Sequence, residues 1–419
     1  MNIGYLVPEF PGQTHAMFWR EIAVLRQHGA RVDLLSTRRP VATGPHAWVP
    51  EATAESTYLL PLRPHIVAAA ARAFVRAGPG GCLRWFRALR SAERDGTVKG
   101  AVRMASLAVV GAAVAGLAQR RQWRHLHVHS CADAANLAQF AAQLTQLTYS
   151  VTLHGPLRDY GGNQRQKWSN ASFAFVITEV LRREIETVLG PALPPVIRMA
   201  GMGIDAARTV RSTPYQPWEP GTPARIFSCG RLNRAKGHVD SIAAVHALRR
   251  AGIDAFLTIA GEDDAGGTGY RQVVERAVRD EGLGAAVRLL GMVSDSEVER
   301  WLDQTHVFVL ASMAEPLGVA VMEAMAMEVP VVVTSGGGVT ELVEDGRNGL
   351  VVPPSSPLEL AGAVEKLLRD PALGCQLGRN ARATVLAGFS CERNATLLLA
   401  EIAALHDADA HHGGPSKGH

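Results

Sequence analysis

Short runs of apolar, largely β-branched residues recur along the 419-residue chain, separated by stretches with helical spacing. Residues 2–7 (NIGYLV), 31–36 (RVDLLS), 125–130 (HLHVHS), 149–154 (YSVTLH), 173–178 (FAFVIT) and 196–199 (VIRM) read as strands. A second series occupies residues 225–229, 255–260, 287–291, 307–311, 330–334 and 349–353. Several runs are continuously hydrophobic rather than alternating, the pattern of a parallel sheet covered on both faces. Amphipathic stretches such as 238–251 and 270–282 complete strand–helix–strand units, so each half predicts a doubly wound α/β domain. The join is expected near residues 203–224, where four prolines fall in a stretch without helical periodicity.

Composition narrows the class. At 47% hydrophobic and 20% charged, the chain reads as an ordinary globular protein of two or three domains. Its five cysteines are scattered with no Cys-x-x-Cys pair, which argues against a disulfide scaffold and a zinc site and favours a reducing cytosol. The start, MNIGYLVPEF, lacks the basic and long apolar stretches of a signal peptide. The apolar stretch 104–118 is shorter than the about 20 residues of a spanning helix, so a buried core helix is expected.

The net charge of +4 is unevenly spread. Residues 63–124 carry twelve bases against two acids, a local +10, leaving 31 bases against 37 acids, or −6, elsewhere. Arg84, Arg87 and Arg94 fall near one helical face, with Leu83, Trp85 and Phe86 nearby. That pattern is compatible with peripheral contact with an anionic bilayer, and equally with a solvated helical surface. No nucleic-acid motif accompanies the charge, so no nucleic-acid partner is expected.

The chemistry concentrates in Glu315-Pro-Leu317-Gly318-Val319-Ala-Val-Met-Glu323, which follows the strand VFVLA. Open α/β sheets bind ligands at strand C-termini. Pro316 suits a helix first turn, Gly318 allows close backbone approach, and the free N–H groups of that turn suit a diphosphate. Carboxylates beside an anion site repel phosphate, so sugar or ribose hydroxyls are their natural partners. Gly230-Arg231-Leu-Asn-Arg-Ala-Lys236-Gly237 follows the strand RIFSC, bringing Arg231 and Lys236 to the same cleft edge. Two cations there compensate charge growing on a departing diphosphate.

With these motifs, the chain resembles a family 4 retaining glycosyltransferase of the GT-B fold, whose hallmark is two glutamates separated by seven residues. The resemblance extends to Leu290-Gly291-Met-Val293, to Ser335-Gly-Gly-Gly338…Glu341-Leu-Val-Glu-Asp-Gly346, and to Phe389-Ser390. It is similar in overall pattern to exopolysaccharide and colanic-acid-type bacterial members. It implies two Rossmann-like domains facing across a cleft: an acceptor-side domain at 1–203, completed by a C-terminal helix at about 391–407, and a donor domain at 204–390. Residues 408–419 are expected to form a disordered tail.

By that resemblance, Arg231 and Lys236 hold the donor phosphates, Glu315 the donor sugar and Glu323 the nucleotide ribose. Gly291, Val293, Leu317, Gly318 and Val319 complete the donor side. The loop Pro8–Thr14 is similar to one that relatives place against phosphate and acceptor, with Gly12 as its close-approach residue and Gln13 and Thr14 on the acceptor side. His154 takes the position of a histidine near the donor sugar, and Asp159 and Tyr160 follow it. His125, His127 and His129 alternate on one strand face, which invites a metal reading. No third ligand is evident in the sequence, so neither metal nor other cofactor is expected, and His129 is assigned to the acceptor side instead.

The implied activity is retaining transfer of a sugar, from UDP-hexose or UDP-N-acetylhexosamine by preference, to an acceptor hydroxyl by front-face substitution. The acceptor is a lipid-linked sugar or a small molecule, in polysaccharide, glycolipid or secondary-metabolite synthesis. The expected location is the cytoplasm, or the inner face of its membrane. A nucleotide-sugar epimerase of the same fold and a noncatalytic nucleotide-sugar-binding protein are the alternatives. A pyridoxal phosphate phosphorylase needs a Schiff-base lysine, and the five lysines show no motif for one.

Overall fold

The computed structural model describes residues 1–94, 96–263, 267 and 269–412. Every strand read from the sequence forms, within two residues of its expected ends. The first sheet comprises β1 (Asn2–Glu9), β2 (Arg31–Arg38), β3 (Thr57–Tyr58), β4 (His125–Val128), β5 (Thr148–Leu153), β6 (Phe173–Val176) and β7 (Ile197–Met199). Its order is β3-β2-β1-β4-β5-β6-β7, all parallel. The two-residue edge strand β3 is too short to leave a periodic signal, and the sequence did not predict it.

The second sheet contains β8 (Ala224–Cys229), β9 (Ala255–Ala260), β10 (Val287–Gly291), β11 (Val307–Leu310), β12 (Val331–Thr334) and β13 (Leu350–Val352). It too is parallel, ordered β10-β9-β8-β11-β12-β13. Val331, Val332 and Val333 are completely buried, as their unbroken hydrophobicity requires. Strand order reverses between β1 and β4 in one sheet and between β8 and β11 in the other. Such switch points open a crevice beyond the strand C-termini. The loops that leave these four strands carry most of the residues singled out for chemistry.

Helix Val98–Arg121 contains the apolar stretch and is buried from Val110 through Ala118, packed against its neighbours Pro64–Ser91 and Asp133–Thr145. It is the one described helix long and apolar enough to cross a membrane, and most of it is buried within the protein. Helix Pro64–Ser91 bends at Gly78, whose φ of 60° is non-helical, just before Pro79. Two details of the basic segment differ from expectation. Arg94 lies beyond the helix end, and Trp85 turns inward, donating from Nε1 to the Ala108 carbonyl at 3.2 Å. Leu83 and Phe86 remain outside, about half exposed, beside Arg84, Arg87 and Arg90.

Residues 205–223 cross without regular structure, held to the second domain by Tyr215, whose hydroxyl donates to the His306 carbonyl at 2.8 Å. Ile204 pairs with the chain before the final helix, accepting from Cys391 N at 3.0 Å. That helix, Cys391–His412, packs on helix Ala16–Gln27 of the first domain, and Arg198 donates to its Glu401 at 2.6 Å. It reaches His412, past residue 408, where a disordered tail was expected to begin. Residues 413–419 lie outside the described residues.

Candidate functional site

A cavity of ≈ 310 Å³ lies between the domains, at the C-terminal ends of β1, β5, β8 and β11. From the second domain it is lined by Arg231, Lys236, Val293, Glu315, Leu317, Gly318, Val319 and Glu323, and from the first by Gln13, Thr14, Met17 and His154.

Glu315 is held through both its side chain and its backbone. Lys236 Nζ donates to its Oε2 at 2.6 Å, and Ser312 Oγ donates to the same oxygen at 2.9 Å. Its backbone is fixed by the glycine-rich turn after β12: Glu315 N donates to the Gly336 carbonyl and Gly338 N to the Glu315 carbonyl, both at 2.8 Å. Gly337 has φ 88°, and a Cβ there would stand 2.3 Å from the Glu315 carbonyl oxygen, so a side chain at this position would push Glu315 out of place. The Ser335–Gly338 run thus has a mechanical role in seating the carboxylate.

The following helix is Val319–Ala326 and starts later than Pro316 suggested. Gly318 stands at its N-cap with φ 96°, a left-handed conformation through which a helix cannot run. The first-turn N–H groups beyond Gly318 have no carbonyl a turn earlier in the helix, and they border the cavity. An anion there meets those donors together with Lys236 and Arg231.

Glu323 faces the first domain. Arg20 Nη1 donates to its Oε1 at 2.9 Å, and Arg20 Nη2 lies 3.7 Å from Asp295 Oδ2. A capping box between Ser294 and Glu297 starts the helix Asp295–Gln304 and sets Asp295 in its first turn. Trp48 Nε1 also donates to Asp295 Oδ2, at 3.4 Å, and His46 Nδ1 lies 3.1 Å from Oδ1. Burial raises the Glu323 carboxyl above its ordinary value, against the pull of Arg20. Burial acts likewise on Asp295, but the His46 and Arg20 contacts outweigh it and hold that carboxyl low. Arg20, His46, Trp48 and Asp295 were not singled out from the sequence, because the network exists only once the two domains meet.

Four expected residues do not line the cavity. Gly12 sits beneath its loop, its N–H donating to His15 Nδ1 at 3.0 Å, with the His15 ring occupying the space a Cβ would need. Asp159 is exposed outside it, and Gly291 lies beside Glu262 at the end of β10. His129 is buried behind His154, its Nδ1 3.2 Å from His154 Nε2.

The alternating histidines of β4 face the hydroxyl-bearing β5. His125 contacts Thr148 Oγ1 at 2.8 Å and Ser150 Oγ at 2.7 Å, while His127 contacts Ser150 Oγ at 2.7 Å and Thr152 Oγ1 at 3.1 Å. Buried polar groups need such partners. The sequence offered no third ligand beside these histidines, and the structure supplies one. Glu21, from helix Ala16–Gln27, comes with His127 and His129 so that one ligand atom of each lies within 4.8 Å of the others. Every one of these groups already contacts a neighbouring polar side chain.

Residues 214–384 match the family Glycosyl transferases group 1. The chain is 35% identical over 214 residues to glycogen synthase of Mycobacterium tuberculosis, covering 51% of this chain and 49% of that protein. It is 35% identical over 165 residues to alpha-D-kanosaminyltransferase of Streptomyces kanamyceticus, covering 39% and 42%. Against the amylovoran biosynthesis glycosyltransferase AmsK of Erwinia amylovora, identity is 32% over 186 residues, covering 43% and 44%. The chain thus spans about half the length of the curated relatives it matches. Among solved structures, sucrose-phosphate synthase from Thermosynechococcus elongatus superposes with TM-score 0.72 at 19% identity, over 97% of this chain and 100% of that one. Anabaena Alr3699/HepE, in complex with UDP and glucose, gives 0.71 at 17%, over 96% and 99%. The fold is GT-B.

Proposed function

From a glycosyl transferases group 1 domain at residues 214–384, set in a GT-B fold, we propose that the protein is a retaining glycosyltransferase using a nucleotide-diphosphate sugar. The observation that carries the reading is the Lys236–Glu315 pair at the end of β11, beside the helix N-terminus opened by Gly318 and opposite His154. It combines cations, N–H donors and hydroxyl acceptors within one cavity.

Diphosphate oxygens meet Arg231, Lys236 and the N–H groups after Gly318. Glu315 accepts from sugar hydroxyls and Glu323 from the ribose. The acceptor oxygen bonds to the anomeric carbon on the face from which the phosphate departs. Its proton passes to the leaving phosphate oxygen, so no carboxylate nucleophile is required. Charge-assisted hydrogen bonds contribute about 1.5–3 kcal/mol each, so Arg231 and Lys236 together supply a useful share of the barrier reduction. Closure of the domains excludes water and orients the substrates.

A UDP-hexose or UDP-N-acetylhexosamine is the favoured donor; the solved neighbour in complex with UDP and glucose supports it. The acceptor is a hydroxyl-bearing lipid-linked sugar or small molecule. The apolar and basic surface of helix Pro64–Ser91 supports peripheral attachment to an anionic bilayer. Metal is not required for transfer in this reading.

The test is calorimetry with UDP-glucose, UDP-N-acetylglucosamine and GDP-mannose, followed by product mass spectrometry with hydroxyl acceptors. Acceptor-dependent release of nucleotide with an axial product linkage is expected, unchanged by EDTA. Epimerised or hydrolysed donor without an acceptor product points instead to the epimerase alternative, and an inverted linkage overturns the retaining mechanism.

A further inference from the structure

A line of polar groups runs from the core to the cavity behind His154. Tyr5 OH donates to Glu21 Oε2 at 2.5 Å, and His129 Nε2 lies 3.0 Å from the same oxygen. That second contact is close but poorly aligned. His129 Nδ1 then meets His154 Nε2 at 3.2 Å, with the rings stacked at 5.4 Å, and His154 lines the cavity. Phe18 packs against both rings, with centroid separations of 4.8 and 5.6 Å.

A neutral imidazole carries one N–H and one lone pair, so this line has a direction. If Glu21 is a carboxylate, it accepts from His129 Nε2–H. His129 Nδ1 then accepts from His154 Nε2–H, and His154 Nδ1 is left as an acceptor. If position 21 donates instead, every bond reverses and His154 Nδ1 becomes a donor. Burial pushes His129 and His154 down to about 3 each, so both rings are neutral at pH 7. Burial also raises the Glu21 carboxyl, while His127 and the Tyr5 hydroxyl work against it and favour the carboxylate.

We propose that Glu21 and His129 are positioning residues that fix the Nε2–H tautomer of His154, so that its Nδ1 accepts a hydrogen bond from a sugar hydroxyl of the donor. The reading rests on the donor role given to His154 above. The titratable and charged groups around the line are Tyr5 on β1, His15 and Glu21 at the first helix, His127 and His129 at β4, Tyr160 after β5, and Arg231 from the second domain. The sequence concealed the arrangement because Glu21 reads as an ordinary helix residue, and it became visible only where β1, β4 and the first helix meet.

The imidazole nitrogens of the free protein can be read by histidine 15N NMR at pH 7.5, with the His154 signals assigned through His154→Gln. The Nε2–H tautomer is expected in the native protein, and an Nδ1–H signal there overturns the proposal without any variant. Glu21→Gln places an amide where the carboxylate was. Tyr5 and His129 meet one and the same Glu21 oxygen, so the amide nitrogen set at that position donates to His129 Nε2 and to the Tyr5 oxygen, and His154 is expected to switch to Nδ1–H. Tyr5→Phe, which perturbs the same spot and keeps the carboxylate, is expected to leave the tautomer unchanged. Calorimetry supplies a second readout: Glu21→Gln is expected to weaken UDP-glucose about tenfold, roughly the worth of one hydrogen bond, and to change UDP less than about twofold. An unswitched tautomer in folded Glu21→Gln, or equal losses for both ligands, rejects the proposal. If native protein shows Nε2–H but binds no UDP-glucose, the donor reading fails while the tautomer assignment stands.

Discussion

Arg20, on the first domain, donates from Nη1 to Oε1 of Glu323, on the second, at 2.9 Å across the cavity. Glu323 is also the carboxylate assigned to the nucleotide ribose. In the proposed reading one group both ties the domains together and recognises the donor, so that donor binding and closure act on the same carboxylate. Arg20 compensates the buried charge of Glu323 through Oε1, which on that reading leaves the second oxygen to accept from ribose. Comparing UDP with 2′-deoxy-UDP tests this. In the native protein the deoxy ligand is expected to bind about tenfold more weakly, and in Glu323→Gln the gap is expected to shrink to about twofold. An undiminished gap places the ribose elsewhere.

Lys236 Nζ donates to Glu315 Oε2 at 2.6 Å in the cavity. Lys236→Met leaves the Glu315 carboxylate, 5% exposed, with only the Ser312 hydroxyl on its Oε2. Removing one member of a buried pair is costly because the remaining charge is uncompensated. The variant is expected to lose about 100-fold or more in kcat, since diphosphate charge also develops beside Lys236. A smaller loss of about 1–3 kcal/mol in unfolding free energy is expected, moderated by the partial exposure of the lysine. Near-native kcat with saturating donor contradicts the phosphate role.

His238, wholly buried at the start of helix His238–Arg250, contacts the Arg231 carbonyl through Nε2 at 3.1 Å. Burial lowers it to about 4, outweighing that contact. Its folded value lies below its unfolded one, so the unfolded chain takes up the proton first. The stability it contributes is complete above about pH 6.5 and is lost as pH falls toward 4. At pH 5 this amounts to about 2 kcal/mol. The raised carboxyls of Glu21 and Glu323 act in the opposite sense, so the prediction concerns a difference. Urea unfolding at pH 7 and pH 5 is expected to show about 2 kcal/mol less acid loss in His238→Gln than in the native chain. Parallel losses in both reject this assignment.

The sequence was most legible where structure is local. Strand–helix units follow from hydrophobic runs, and Glu315, Lys236 and Gly318 lie within a few residues of the strands that present them. Contacts between elements distant in sequence were not legible. Arg20, His46, Trp48 and Asp295 are unremarkable in their own segments and acquire meaning only across the domain boundary. The β4 histidines show the same limit from within one domain: their alternation was plain, but their partners came from β5 and from a helix a hundred residues earlier. Gly12 misled for a related reason, since a glycine in a loop after a strand signals close approach without saying to what. Here the near neighbour is the His15 ring.

Glu341, quoted only as part of a motif, spans the domains on the other side. Its two carboxylate oxygens accept from the backbone N–H groups of Glu179 and Val180 at 2.7 and 2.9 Å, at the start of helix Glu179–Leu189. A carboxylate at a helix N-terminus both caps orphan donors and meets the positive end of the dipole. Glu341→Ala is expected to cost about 1–2 kcal/mol in unfolding free energy. It is also expected to increase protease cleavage within residues 205–223, where the chain crosses between domains. Unchanged stability and unchanged cleavage mean that the contact does not hold the domains.

The basic segment 63–124 carries the last prediction. Charge and apolar side chains meet on one surface of it: Leu83, 48% exposed, and Phe86, 50% exposed, line a shallow depression with Arg87 and Arg90, and Arg84 is exposed on the same helix. Arginines near an anionic surface contribute about 1 kcal/mol each, and a fully buried Leu or Phe side chain about 1.5–3 kcal/mol. Partial insertion of two such side chains with three arginines is enough for reversible attachment. Flotation with phosphatidylglycerol vesicles at low salt is expected to carry the native protein upward, whereas phosphatidylcholine vesicles leave it behind. Leu83→Ser with Phe86→Ser is expected to reduce the floated fraction severalfold without changing UDP binding, because neither residue borders the cavity. Raising salt to about 0.5 M is expected to release the native protein, since the charge contribution is screened within a few ångströms. Attachment that survives salt but not the serine substitutions assigns the surface to apolar insertion alone. Failure of the native protein to float at low salt leaves the segment as a solvated helical face.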